Sequence, residues 1–432
     1  MTMTKGFKET EIGLIPDDWD LKTVTDVANI NESSIKKNSK LGLIKYIDIA
    51  SVDKGIINDM QIISLSEAPT RAKRIVKDDD ILISTVRPNL KHYAFVNKAK
   101  SNTVASTGFA VISAKKINPK FLYYYLTTDK YTEYLTAIAE SHTSAYPSFN
   151  PDIIEKSFVP YPSKDEQYLI SKVLSDLDNK IELNNEMNRT LEALGQAIFR
   201  HWFIDFMFPD ENGQPYKSTG GEMIDSELGK IPNGWKVTKL SDICSKVIDG
   251  THDSPSPDYE GYYLVTGRHI INGFIDFSKC YKISPEEHQK VMMRSKPEKG
   301  DTIFSNIGTL GTATFVDQDF EFSIKNVALF KPLKPIYSSF IYLYFLYPKT
   351  VKKMVNSSSG TTQRFFSLKF LRSWELIKPS DEILLEFNNF LHPILEMRTS
   401  LNAQNKNLSQ IRDSLLPKLM SGKIRIPLED EK

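Results

Sequence analysis

The sequence predicts an α+β protein written twice: two similar mixed α/β units separated by two long antiparallel helices, with an approximate two-fold relation arising from internal duplication. Three observations carry that expectation. A capped, heptad-like stripe runs through the middle of the chain, a second stripe runs near its end, and six features recur in one order at one spacing.

The central stripe opens on Ser163 and Glu166, a capping box just after Pro162. Apolar residues follow at three- and four-residue steps: Ile170, Leu174, Leu177 and Ile181, then Leu191, Leu194 and Ile198. Asn184 and Asn188 hold the same seam between them. At about 1.5 Å per residue such a helix runs about 50–60 Å, and it cannot bury its stripe alone. A partner begins at Ser380, Asp381 and Glu382, with the seam Phe387, Leu391, Ile394, Met397, Leu401, Asn405, Leu408, Ile411 and Leu415. Pro393 should kink this second helix or break its first turns. Asparagines inside two long stripes fit paired spacer helices better than two ordinary core helices.

The units ahead of the helices repeat each other. Gly13-Leu14-Ile15-Pro16-Asp17-Asp18-Trp19 is answered by Gly229-Lys230-Ile231-Pro232-Asn233-Gly234-Trp235, and each Trp leads into an alternating, strand-like stretch. Tyr46-Ile47-Asp48-Ile49 is answered by Tyr263-Leu264-Val265-Thr266, and Asp80-Ile81-Leu82-Ile83-Ser84 by Asp301-Thr302-Ile303-Phe304-Ser305. An aromatic helical stretch comes next in each half (from Phe121 and from Phe340), then a Ser/Thr-rich loop, then a closing strand and the long helix. The spacing is 216 residues between Trp19 and Trp235 and 221 between Asp80 and Asp301. The expected domains are a globular unit over residues 1–162, a spacer helix over 163–208 and a linker over 209–228, rich in Gly, Pro and polar residues up to Gly221. A second unit over 229–379 and a C-terminal spacer helix with tail over 380–432 complete the plan.

Composition excludes several classes. At 432 residues, 40% hydrophobic and 25% charged, the chain is an ordinary globular one with room for two or three domains. No apolar run approaches the ~20 residues of a membrane span, and the polar start MTMTKGFKET does not read as a signal peptide. Cys244 and Cys280 form neither a disulfide framework nor a zinc cluster, so a cytoplasmic protein with no metal is expected. The net charge of +1 hides a local pattern. Residues 81–128 and 322–374 contain no Asp or Glu but many Lys and Arg, as suits a polyanion met at two places.

No catalytic constellation emerges. There is no phosphate-cradling G-x-x-x-x-G-K-[ST] loop. Asn150-Pro151-Asp152-Ile153 is superficially like the N-P-P-Y motif of amino-methyltransferases, but lacks the second Pro and the aromatic that would stack a flipped base. In the run Asp78-Asp79-Asp80 only the last acid repeats, at Asp301, which fits turn chemistry rather than metal ligation. The candidate residues are therefore for binding. Arg87, Lys91, Lys349, Lys352 and Lys353 are expected on phosphates, with Lys369 in the same basic segment and His92, Arg268 and His269 as further donors. The Ser/Thr-rich loops bring His142, Thr143, Ser144, Tyr146 and Ser148 in one half and Thr361, Thr362, Gln363 and Arg364 in the other. Hydroxyls, Gln and Arg are the groups that bond phosphates and base edges.

On these residues the chain resembles the specificity (S) subunits of type I restriction–modification systems. The resemblance runs from Gly13-Leu14-Ile15-Pro16 to Leu416-Pro417-Lys418-Leu419-Met420-Ser421-Gly422, and includes Leu228-Gly229-Lys230-Ile231-Pro232-Asn233-Gly234-Trp235 and the helix start Pro162-Ser163-Lys164-Asp165-Glu166-Gln167. The second helix start departs from it, since Pro379-Ser380-Asp381-Glu382-Ile383-Leu384 has no Gln. The resemblance implies that each globular unit is a target recognition domain for one half of a split double-stranded DNA site. The helices would set the gap and dock two methyltransferase subunits. Those partners would carry adenosylmethionine, and restriction subunits would add ATP- and Mg-dependent cleavage; this chain would bind no cofactor and catalyse nothing. The competing expectations are a recognition subunit for a fused methyltransferase–nuclease partner, and a scaffold that binds no DNA.

Overall fold

The computed structural model describes residues 6–36, 42–142, 146–308, 310–357 and 365–427. The apolar run after Asp80 becomes the fully buried strand Ile81–Ser84, which pairs antiparallel with Tyr93–Phe95 on one side and Phe109–Ala114 on the other. Phe109–Ala114 pairs in turn with Ala28–Ile30. The second half builds the same sheet in the same order: Thr302–Phe304 lies between Ala313–Phe315 and Ala328–Pro332, and the latter pairs with Cys244–Asp249. A second sheet in each half is built on one parallel pair, Leu43–Ile47 with Thr103–Ser106 and Tyr262–Val265 with Ser323–Ile324. Parallel neighbours need long crossovers, so this pairing is what brings distant segments together. A short closing pair ties each unit's start to its end, Asp20–Thr23 with Phe158–Tyr161 and Lys236–Lys239 with Glu375–Lys378.

The chain is α+β and duplicated, and it divides into two compact units, Met1–Leu183 with Gln404–Lys432, and Asn184–Ala403. The division passes through both long helices, Lys164–Phe203 and Asp381–Met420, rather than falling at 162/163 and 379/380. Within each unit the two helical segments run antiparallel. In the first unit Arg412 Nη1 donates to Asp178 Oδ1 at 2.7 Å, while farther along Arg425 Nε donates to Glu166 Oε1 at 2.6 Å. In the second, Arg398 Nη2 donates to Glu192 Oε2 at 2.6 Å, while the Trp202 and Phe387 rings lie 5.5 Å apart.

Most of the expected seam is inward, including Ile170, Leu174, Asn184, Asn188, Phe387, Leu391, Leu401 and Asn405, all buried. Three positions are corrected. Leu194 is 45% exposed, and Gly195 faces inward in its place, where a Cβ would make ordinary contacts with Leu391 and Leu343 at 3.5 and 3.6 Å. Ile411 is 47% exposed because Arg412 turns inward to Asp178, as Met397 is exposed beside the buried Arg398. Pro393 does not break the helix, which runs on from Asp381 to Met420; it lies on the exposed face, as does Asn389, whose carbonyl loses its bond.

The expected linker also differs. Met223–Ser226 is a strand paired with Gly229–Pro232, the counterpart of Phe7–Thr10 with Gly13–Pro16, so the second copy begins before residue 229. Ahead of it, Phe208 stacks on both Tyr216 and Trp235 at 4.6 and 4.8 Å. Among the described residues no helix is long and apolar enough to cross a membrane.

Candidate nucleic-acid interface

In both units the loop after the central buried strand is fastened to the end of the Ser/Thr-rich segment. In the first, Ser84 Oγ donates to the Val86 carbonyl at 2.8 Å, which turns the chain sharply after the strand. The Phe149 N–H then donates to the Thr85 carbonyl at 3.0 Å and the Arg87 N–H to the Pro147 carbonyl at 2.7 Å, with Val86 and Ser148 bridged between them. In the second unit Ser305 Oγ donates to the Ile307 carbonyl at 3.4 Å, the Phe366 N–H to the Asn306 carbonyl at 2.9 Å, and Ile307 bridges Phe365. The same serine, two residues before the same bridge, does the same work twice.

This frame presents Arg87. Its backbone is left-handed (φ +48°), it is exposed, and its guanidinium lies 4.6 Å from the Tyr146 ring centroid. Such a stacked pair offers a flat cation with donors still open to a phosphate or base. Ser148 is exposed beside it. In the second unit Lys349, Lys352 and Lys353 project from the helix Pro348–Ser357, whose Thr350 and Met354 face inward. Lys353 lies 5.6 Å from the Trp374 ring centroid, and Lys369 and Arg268 are exposed.

Several expected contacts are placed elsewhere. His269 is 2% exposed; its Nδ1 accepts from the Thr266 N–H at 3.0 Å, and burial, with Arg268 beside it, holds its pKa below the ordinary value. It shapes a turn and does not reach outward. His92 is half-buried and its Nδ1 donates to the Val52 carbonyl at 2.5 Å, while Lys91 pairs with Asp129 at 2.5 Å. The His92 ring is committed within the fold, whereas the Lys91 pair is open to solvent. Thr143, Ser144, Thr361, Thr362, Gln363 and Arg364 lie outside the described residues, and His142 closes the helix Asp129–His142.

One polar cluster escapes sequence reasoning because its members lie far apart in the chain. Asp249 is buried at the end of its strand; burial raises its pKa, but Arg294 and His252 together outweigh that and lower it. His252 Nε2 stands 2.7 Å from Asp249, its Nδ1 stands 2.9 Å from Asn326, and Lys325 Nζ donates to Ser254 at 2.6 Å. Backbone bonds run from this cluster toward the Arg268 turn, since Thr251 N–H donates to Ile324 and Lys325 N–H to Val265. A Ser–His–Glu grouping, Ser323, His288 and Glu321, is no nucleophile site. Ser323 and His288 are buried, and Tyr262 stacks over the imidazole at 3.7 Å, so no substrate reaches the hydroxyl.

Two copies of one unit, each with a loop frame braced by backbone bonds and with exposed basic side chains, define a protein built to bind at two places. A family model described as the type I restriction modification DNA specificity domain matches twice, over residues 16–193 and 232–410. The chain belongs to this family, and its role is DNA recognition in a type I restriction–modification system, not catalysis. It is 28% identical to the type I restriction enzyme MjaIX specificity subunit of Methanocaldococcus jannaschii, across 97% of this chain and 96% of that one. It is 26% identical to the HindI specificity subunit of Haemophilus influenzae, across 94% of this chain and all (100%) of that one. The crystal structure of a type I restriction-modification system S subunit from M. genitalium shares the fold, with TM-score 0.55 and 15% identity across 97% of this chain and 98% of that one.

Proposed function

We propose that the two units read the two unlike halves of a split DNA site, and that the paired helices fix the gap between them. The observation that carries this reading is the doubly built loop frame at residues 84–91 with 146–149 and residues 305–308 with 365–366, one arm of each frame lying in an acid-free basic segment. The scaffold repeats, but the side chains on it differ: Arg87 over Tyr146 in one, exposed Ile307 and Phe365 in the other. Unlike reading surfaces imply unlike half-sites, hence an asymmetric target. The helices also dock two methyltransferase subunits, which carry adenosylmethionine and methylate adenine, and restriction subunits complete the assembly with ATP and Mg. The chain works in the cytoplasm beside those partners and holds no cofactor itself.

The test is single-molecule methylome sequencing of a host carrying the partner methyltransferase with and without this chain. A new split motif with two different halves, present only with the chain, is the expected result. An active methyltransferase that gains no motif from the chain counts against it.

A further inference from the structure

The duplication lets one unit serve as a measure of the other. Both long helices have 40 residues and correspond at a constant spacing of 217, Lys164 to Asp381 and Phe203 to Met420. The aromatic helices correspond at 219, a register fixed by one shared bond: Thr132 N–H to the Thr128 carbonyl, and Val351 N–H to the Tyr347 carbonyl. In the second unit the end of the long helix is locked by rings. Phe199 lies 5.8 Å from Phe340 and 5.9 Å from Tyr347, and Phe203 lies 5.0 Å from Phe340. The first unit has Leu416, Met420 and Thr128 at the positions of Phe199, Phe203 and Tyr347. All three line a cavity of about 700 Å³.

That cavity is more than a packing defect. Its volume exceeds what one side chain fills and falls among small-molecule sites. It is lined by Tyr93, Tyr123 and Tyr125, whose hydroxyls make no hydrogen bond within the protein among the described residues. Burial pushes the Tyr93 hydroxyl up to about 12 and the other two higher, so all three stay protonated and can donate. The charges beneath are already spent: Arg412 Nη1 on Asp178 at 2.7 Å, and Asp178 again on the Tyr124 hydroxyl at 2.6 Å. At the lip stands Leu14, 47% exposed, where the second unit has Lys230. Tyrosine rings in the wall, and a lining that mixes Leu14 with charged Glu11, Lys54 and Lys130, suit a flat guest with polar edges.

We propose that this cavity binds a small planar heteroaromatic molecule of nucleoside size, its rings in the space that the second unit fills with Phe199, Phe203 and Tyr347, and its acceptor atoms facing the tyrosine hydroxyls. The role is separate from DNA reading. The probe is purine riboside, titrated calorimetrically into the full chain, with indole as a ring that has no acceptor edge. Saturable one-to-one binding of purine riboside, tighter than that of indole, is expected. Thr128→Tyr and Leu416→Phe copy the second unit and should raise Tm while abolishing binding. Tyr125→Phe keeps the ring, removes one donor and should weaken binding roughly two- to tenfold. No saturable binding to the full chain, or binding that survives both filling substitutions, overturns the proposal. If the filling variants do not fold, an unchanged affinity in Tyr125→Phe overturns it as well. None of these outcomes depends on methylation, so failure here is distinct from failure of the DNA-reading role.

Discussion

Arg87 is held in a left-handed backbone by bonds on both sides of the bridge, and its guanidinium is left free to face outward. If it holds a phosphate, Arg87→Ala should weaken binding to all DNA sequences about equally and reduce the salt slope by about one. A change in base preference at constant salt slope, measured by competition titrations, would contradict that assignment. Asp381 makes the opposite kind of contribution, to stability. Hydrogen bonds from Lys334, then Lys378 and Tyr337, hold its carboxyl well below the ordinary range. A depressed folded pKa gives stability above the unfolded value of about 4, which is lost as pH falls through the folded one. Asp381→Asn should therefore lower Tm at pH 7, with the deficit shrinking in acid; a pH series of melting curves checks it. At this scale the sequence was legible by residue type and illegible by direction. Arg87 and His269 both looked like surface donors, and only tertiary contacts decide that one faces out and the other is packed under its own turn.

At the scale of elements, the periodic stripe marked both long helices, asparagines included, but misplaced the seam at a glycine and at two inward arginines. Leu194 and Ile411 fit the apolar stripe, while nothing in the residue types of Gly195 and Arg412 marks them as the inward neighbours. Gly195 sits mid-helix with room for a methyl group, so Gly195→Ala should stabilise by about 0.5–1 kcal/mol, and Leu194→Lys should change stability by less than about 0.5 kcal/mol, both measured by denaturant unfolding. Arg398 is the costlier position. It is 4% exposed, its Nη1 donates to the Tyr342 hydroxyl at 3.0 Å and its Nη2 to Glu192 at 2.6 Å. Arg398→Ala removes the cation beside Glu192, which keeps only a longer bond from Gln196 at 3.4 Å, and should destabilise by about 3 kcal/mol. The two helix starts show the same mixture of shared plan and private contacts. Gln167 bridges the first one, donating to the Pro162 carbonyl and accepting from the Asn118 N–H, both at 2.9 Å. Leu384 stands at the corresponding place in the second, where Asp381 does the fastening instead.

For the whole molecule, duplication was the most legible property, because order and spacing survive even where side chains diverge. What it could not convey was the reading surface itself, since loops braced by a few backbone bonds tolerate nearly any side chain at their tips. The helices connect these levels. If they act as a ruler, the gap in the DNA target should follow their length. Removing one heptad from each, residues 184–190 together with 400–406, keeps the antiparallel partners in step while shortening the pair by about 10 Å. At 3.4 Å per base pair that is about three base pairs. Methylome sequencing of a host carrying the shortened chain should then show the same two half-sites with a gap shorter by about that amount. A single-helix deletion should instead slip the seam against its partner and abolish assembly. Unaltered half-sites at the original gap, in a complex that still methylates, would show that the spacing is set by something other than these helices.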